Sequence, residues 1–208
     1  PVYFDGYGPF YTYEVSLPGG YRYGDPYQRS AEKSIQICQG EDVPVCPLTN
    51  SNYIIVNKKS QKVLTISSGS TENSAAVVQY ANRNYNYQQW TLEALKDNNG
   101  DLTGFYIHSL RNANMNMETG GFQVKEGATV SVYPITHGEN QRWTFEYAGD
   151  GYYKIRNYQS GLYLEVVNGS TVNSANVRLC ANATEDHQLW KFIPIDASCE
   201  QVAPITPT

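Results

Sequence analysis

Between residues 51 and 196 apolar and polar positions alternate with a period of two, in short runs broken by Asn, Gly and Ser. A period of two puts successive side chains on opposite faces of a strand, and the residues between the runs are turn formers. The opening runs are Tyr53-Ile54-Ile55-Val56-Asn57, Phe105-Tyr106-Ile107-His108-Ser109 and Tyr153-Lys154-Ile155-Arg156-Asn157. Others are Val77-Val78-Gln79-Tyr80, Val130-Ser131-Val132-Tyr133 and Val177-Arg178-Leu179-Cys180. No stretch here keeps helical spacing. The runs come in three sets of about four, which predicts an all-β domain of twelve short strands in three units closed about a pseudo-threefold axis.

The three Trp residues mark the repeat. Each ends a Gln-x-Trp triplet: Gln88-Gln89-Trp90, Gln141-Arg142-Trp143 and Gln188-Leu189-Trp190. Fifteen residues before each Trp lies an Ala, at 75, 128 and 175. Further upstream lie Leu64-Thr65-Ile66, Met117-Glu118-Thr119 and Leu164-Glu165-Val166. A Trp repeated at one place in every unit is expected to plug the hydrophobic centre, and its Gln to satisfy nearby backbone groups. These triplets resemble those of the ricin-B-type lectin family, a β-trefoil whose repeats each end in Gln-x-Trp. The resemblance covers residues 51–196.

Sugar recognition needs a carboxylate for hydroxyls, an aromatic ring for the C–H face, and an amide. The resemblance implies where each falls. The carboxylate takes the middle of the Leu-x-Val-like triplet. The aromatic ends the alternating strand, and an Asn precedes the Gln of Gln-x-Trp. The second repeat fills all three roles with Glu118, Tyr133 and Asn140, beside Gln141. Glu stands where the family usually has Asp, moving the carboxylate outward by one methylene. The third repeat offers Glu165, Cys180 and His187, with Arg178 on the same strand, and lacks the platform. The first offers Thr65, Tyr80 and Tyr87, and lacks the carboxylate and the amide. Glu165, Arg178, His187 and Tyr80 are therefore secondary candidates.

Composition narrows the alternatives. The 208-residue chain is 17% charged with a net charge of −5, which argues against nucleic acid and anionic membranes. No apolar run approaches the ~20 residues of a transmembrane helix. Residues 1–50 form a different segment, rich in Gly and Pro, with Tyr at 3, 7, 11, 13, 21, 23 and 27. This reads as an arm that wraps the domain or docks a partner protein. Residues 197–208 read as a Pro/Thr-rich tail. Four Cys suggest two disulfides, Cys38–Cys46 and Cys180–Cys199 being the favoured pairing, in an oxidising compartment. Sequons at Asn168 and Asn182 fit a glycosylated, secreted protein. His108, His137 and His187 are scattered, and no catalytic or metal-binding motif appears, so no enzyme activity, metal or cofactor is expected. A secreted module that binds glycans or glycoproteins is the leading expectation. The alternatives are an interaction subunit on a trefoil scaffold with degenerate sugar sites, and a hydrolase inhibitor acting through a long loop at 95–104.

Overall fold

The computed structural model describes residue 48, residues 51–120 and residues 124–195. They form twelve strands joined by turns. In chain order these are β1 (Asn52–Asn57), β2 (Val63–Ile66), β3 (Ala75–Tyr80), β4 (Trp90–Lys96), β5 (Leu102–Ser109) and β6 (Asn112–Thr119). They continue with β7 (Val130–Pro134), β8 (Arg142–Gly149), β9 (Tyr152–Asn157), β10 (Tyr163–Val166), β11 (Ala175–Cys180) and β12 (Trp190–Pro194). Helical backbone among the described residues is confined to short 3-10 turns. No helix there is long and apolar enough to cross a membrane.

Six strands close a ring. β1 pairs with β4, β4 with β5, β5 with β8, β8 with β9, β9 with β12, and β12 with β1. Closure leaves these strands without a free edge. The other six form three hairpins, β2–β3, β6–β7 and β10–β11. The hairpins contact one another through β3–β7, β3–β11 and the bridge Thr129–Arg178.

The three Trp side chains are fully buried in the common core. A buried indole needs an acceptor for its N–H. Trp90 donates to the carbonyl of Leu64 at 3.1 Å, Trp143 to Met117 at 2.9 Å and Trp190 to Leu164 at 3.0 Å. The same bond made three times sets the register: Thr65, Glu118 and Glu165 are equivalent. The Gln of each triplet holds its own turn. Gln88 accepts from the Arg83 amide, Gln141 from Thr136, and Gln188 from Thr184 and Glu185.

Neighbouring repeats are stitched at these turns. Asn157, ending β9, donates its side-chain amide to the carbonyl of Asn140 at 3.0 Å. Asn57, ending β1, donates likewise to the carbonyl of His187 at 2.9 Å. The equivalent residue on β5 is Ser109, and there the backbone amide of Leu110 bonds the carbonyl of Gln89 at 3.0 Å.

Two expectations are corrected. Cys180 is a free buried thiol rather than half of a disulfide with Cys199. It is turned inward, donating to the carbonyls of Asn182 at 3.1 Å and Tyr163 at 3.4 Å. Burial, helped by the nearby Glu165 carboxylate, pushes the thiol up to about 12, so it is not a reactive thiolate at neutral pH. Cys38, Cys46 and Cys199 lie outside the described residues, as does the Tyr-rich segment apart from Leu48. The long loop expected at 95–104 is a tight turn, because β4 runs to Lys96 and β5 resumes at Leu102. Asp97 closes it by accepting from the amides of Asn99 and Asp101, leaving no extended loop to enter a hydrolase cleft.

Candidate functional site

The second repeat builds its site on the outer face of β6–β7. Met115, Met117, Val130 and Val132 face the core. Alternation therefore turns Asn116, Glu118, Ser131 and Tyr133 outward. The register sets Glu118 opposite Ser131, and Asn116 opposite Tyr133. The 3-10 turn Glu139–Gln141 then brings two amides onto one carboxylate oxygen. Asn140 donates to Glu118 Oε2 at 3.0 Å and Gln141 at 3.3 Å. Neither bond involves Oε1. Burial raises the Glu118 pKa and outweighs the two amides, which lower it.

Unmet polar atoms cluster here. Among the described residues, five buried side-chain nitrogens or oxygens lack a hydrogen-bond partner. All five belong to this repeat: His108 Nδ1 on β5, and Asn116 Oδ1, Thr119 Oγ1, Ser131 Oγ and Asn140 Oδ1 on the β6–β7 hairpin and the turn after it. Each such atom costs about 1–3 kcal/mol when nothing meets it. Asn116 and Ser131 share the face of Glu118, and Asn140 bonds it through Nδ2, whereas Thr119 falls on the core-facing side of β6.

In the third repeat the equivalent carboxylate is already taken. Arg178, directly opposite Glu165, donates through Nε to Oε1 at 2.7 Å. Gln188 donates to Oε2 at 3.1 Å, and His187 Nε2 lies 3.4 Å from the same oxygen. Burial alone raises the pKa of Glu165. The Arg178 guanidinium and the Gln188 amide outweigh it and hold the carboxyl below its usual range. So Glu165, Arg178 and His187 do come together, but as an internal cluster built on the Arg178–Glu165 ion pair.

In the first repeat Thr65 stands at the carboxylate position. It donates to the carbonyl of Val63 at 2.9 Å and accepts from Gln88 at 3.2 Å. Tyr87 stacks on Tyr85 with 5.0 Å between ring centres, and Tyr80 is exposed. Gly69, at φ 62°, lets the Tyr87 ring close in, since a Cβ there would come within 2.8 Å of it. This corner is aromatic and lacks the carboxylate, and its nearby Arg111 donates to the carbonyl of Gly69 at 3.2 Å.

Sequence reasoning set Asn116 aside in favour of Glu118, on spacing from Ala128, and gave no site role to Ser131 or His108. The available signal was alternation: Asn116 lies two residues before Glu118 and so shares its face. The sequon residues Asn168 and Asn182 are both exposed. Among the described residues, no group of three or more His, Cys, Asp or Glu is placed to hold a metal ion.

Comparison with known proteins places this geometry. The profile of a family described as ricin-type beta-trefoil lectin domain-like matches residues 45–133 and 139–202. Among solved structures, the designed three-fold symmetric protein ThreeFoil is 30% identical, with a TM-score of 0.64. That match covers 69% of this chain and 99% of ThreeFoil. An exo-beta-1,3-galactanase from Clostridium thermocellum is 28% identical with a TM-score of 0.65; the match covers 71% of this chain but 31% of the enzyme. A ricin B-like lectin from Macrolepiota procera, solved with lactose, is 19% identical with a TM-score of 0.56; the match covers 70% of this chain and 96% of the lectin. No curated protein matches the chain.

Proposed function

Because the chain belongs to the ricin-type β-trefoil lectin domain-like family, we propose that it is a carbohydrate-binding module whose working site is the second repeat. The observation that carries this is Glu118, with both amides on Oε2 and Oε1 left to accept a sugar hydroxyl. Tyr133 supplies the ring on which the apolar face of a sugar stacks. Asn140 and Gln141 position the carboxylate, drawing back the extra methylene of Glu. The unmet oxygens of Asn116 and Ser131 accept further hydroxyls. In the third repeat Arg178 occupies the place of the ligand, and in the first no carboxylate exists. A shallow site of this size binds in the millimolar to micromolar range, about −4 to −8 kcal/mol. We assign no catalytic residue. Secretion is the location that the two exposed sequons support, and binding of glycoproteins follows from the same chemistry.

A glycan array at high protein density, followed by titration of the strongest ligand, tests the reading. Glu118→Ala and Tyr133→Ala are each expected to weaken binding at least tenfold, and Glu165→Ala to leave it unchanged. Absence of any glycan signal, or a signal indifferent to Glu118 and Tyr133, overturns it.

A further inference from the structure

The corner of the first repeat has used up its acceptors. Thr65 is buried and bonded to Val63 and Gln88 of its own repeat. The Gly69 carbonyl accepts from Arg111, the Gln89 carbonyl from the Leu110 amide, and Asn84 Oδ1 from the Gln89 side chain at 2.8 Å. What the corner still presents is aromatic surface and positive charge. Tyr85 is 51% exposed and Leu110 39% exposed, with Tyr80, Arg83 and Arg111 exposed beside them. The Tyr85 ring lies on Tyr87, and Tyr87 is held against Gly69, so the outer ring is braced from beneath.

The junction with the following repeat shows what has changed. Leu110 and Arg111 belong to the turn between β5 and β6, and the Leu110 amide bonds the Gln89 carbonyl at 3.0 Å. Between the third and first repeats the same bond runs from the Lys58 amide to the Leu189 carbonyl at 2.9 Å. There Lys58 pairs with Asp186 of the adjoining 3-10 turn at 2.8 Å. In the first repeat the two matching residues are Leu110 and Asn86. An ion pair that closes on itself is replaced by an exposed leucine and an uncharged turn. The cations here stay uncompensated: among the described residues neither Arg83 nor Arg111 makes an ion pair. Arg111 Nε is anchored at Gly69, which orients the guanidinium, and among the described residues its two terminal amino groups have no hydrogen-bond partner.

We propose that the first repeat is a protein-docking surface whose partner is an acidic segment, presenting a carboxylate beside a large apolar side chain. The carboxylate takes the terminal amino groups of Arg111 in the two-bond geometry that a planar guanidinium favours. The apolar side chain covers Tyr85 and Leu110. Exposed Tyr and Arg side chains held in place by their own neighbours are the residues on which protein interfaces concentrate their energy. A hexose would gain nothing from Leu110 and would find no carboxylate for its hydroxyls. The surface is separate from Glu118, so the inference does not depend on sugar binding at the second repeat.

Selection of random peptides displayed on phage against the full chain tests this. Enriched peptides are expected to carry Asp or Glu next to an aromatic or large aliphatic residue. Tyr85→Ala and Arg111→Ala are each expected to weaken the strongest peptide by about tenfold or more, and Lys58→Ala, at the equivalent junction, to leave it within about twofold. Arg111→Glu is expected to abolish binding, and a peptide with Lys in place of its acid to restore it, which a misfolded variant could not do. The absence of an acidic consensus overturns the inference, as does peptide binding indifferent to Tyr85 and Arg111. Binding of methyl glucuronide that Arg111→Ala removes, with no peptide bound, assigns the corner to an acidic sugar and overturns it too. Self-association of the full chain that Arg111→Glu dissolves assigns the corner to a second copy, with the same consequence.

Discussion

The second and third repeats carry the same carboxylate at the same place and use it in opposite ways. Glu118 and Glu165 are equally buried, at 5% exposure, and each accepts from the Gln of its own Gln-x-Trp triplet. The difference is the residue across the hairpin. Opposite Glu165 stands Arg178, which neutralises it; opposite Glu118 stands Ser131, whose hydroxyl is itself unmet. One carboxylate is paired inside the protein; the other, in the proposed function, receives the ligand. The lesson is that a binding residue in a repeat fold is defined by its cross-strand partner as much as by its own identity.

The largest effect expected from breaking this contrast is on stability in the third repeat. Glu165→Gln removes a buried charge from Arg178, whose side chain is 37% exposed. Solvent therefore discounts the usual cost of splitting a buried pair to about 1–3 kcal/mol. Because the folded-state pKa of Glu165 is lowered, its contribution is present above the ordinary carboxylate range and lost as pH falls through the folded value. Urea unfolding should thus show a deficit at neutral pH that shrinks in acid, with sugar binding intact throughout.

A smaller effect of opposite sign is expected at Glu118. Its folded-state pKa is raised, so its stabilising contribution is present below the ordinary range and lost as pH rises through the folded value. Glu118→Gln keeps an oxygen for Asn140 and Gln141 without a buried charge. It should gain up to about 1 kcal/mol at neutral pH, a gain that vanishes in acid, while glycan binding falls. A loss of stability at neutral pH would show that the two carboxylates are alike after all.

The smallest effect sharpens the role of Asn140. A Cβ on Gly138 would sit 2.6 Å from Asn140 Oδ1, although Gly138 itself has φ −72°, which any residue tolerates. Gly138→Ala should displace Asn140 from Glu118 and weaken sugar binding a few-fold. Stability should change by less than about 1 kcal/mol. Unchanged affinity would remove Asn140 from the site.

Much of this was legible in the chain. Spacing from the three Trp residues located the strands and the carboxylate positions, because one buried indole bond fixes the same register three times. Pairing across strands was less legible. Nothing in the alternation of β11 says that Arg178 turns to Glu165 rather than to a ligand. That His108 faces Asn116 was hidden because the β5–β6 register shifts between His108 and Ser109. Cys180 was misread because an even Cys count points to pairing, whereas its side chain is buried against the carbonyls of its own hairpin and turn. The 95–104 segment read as a loop because its Asn, Asp and Gly residues mask a five-residue reversal between long strands.

The stitch between Asn157 and the carbonyl of Asn140 bears on how such a site can be inherited or transplanted. The turn that aims Asn140 is held by a side chain from the following repeat. Cutting the chain at its repeat boundaries would carry Glu118 and Tyr133 away from the residue that steadies their companion. A second repeat triplicated into a symmetric ring would also have Ser109 at every junction in place of Asn157, leaving each turn to the backbone bond alone. The unit of sequence duplication is therefore not the unit that holds the Asn140 turn, and grafting the proposed site requires moving the junction along with the repeat.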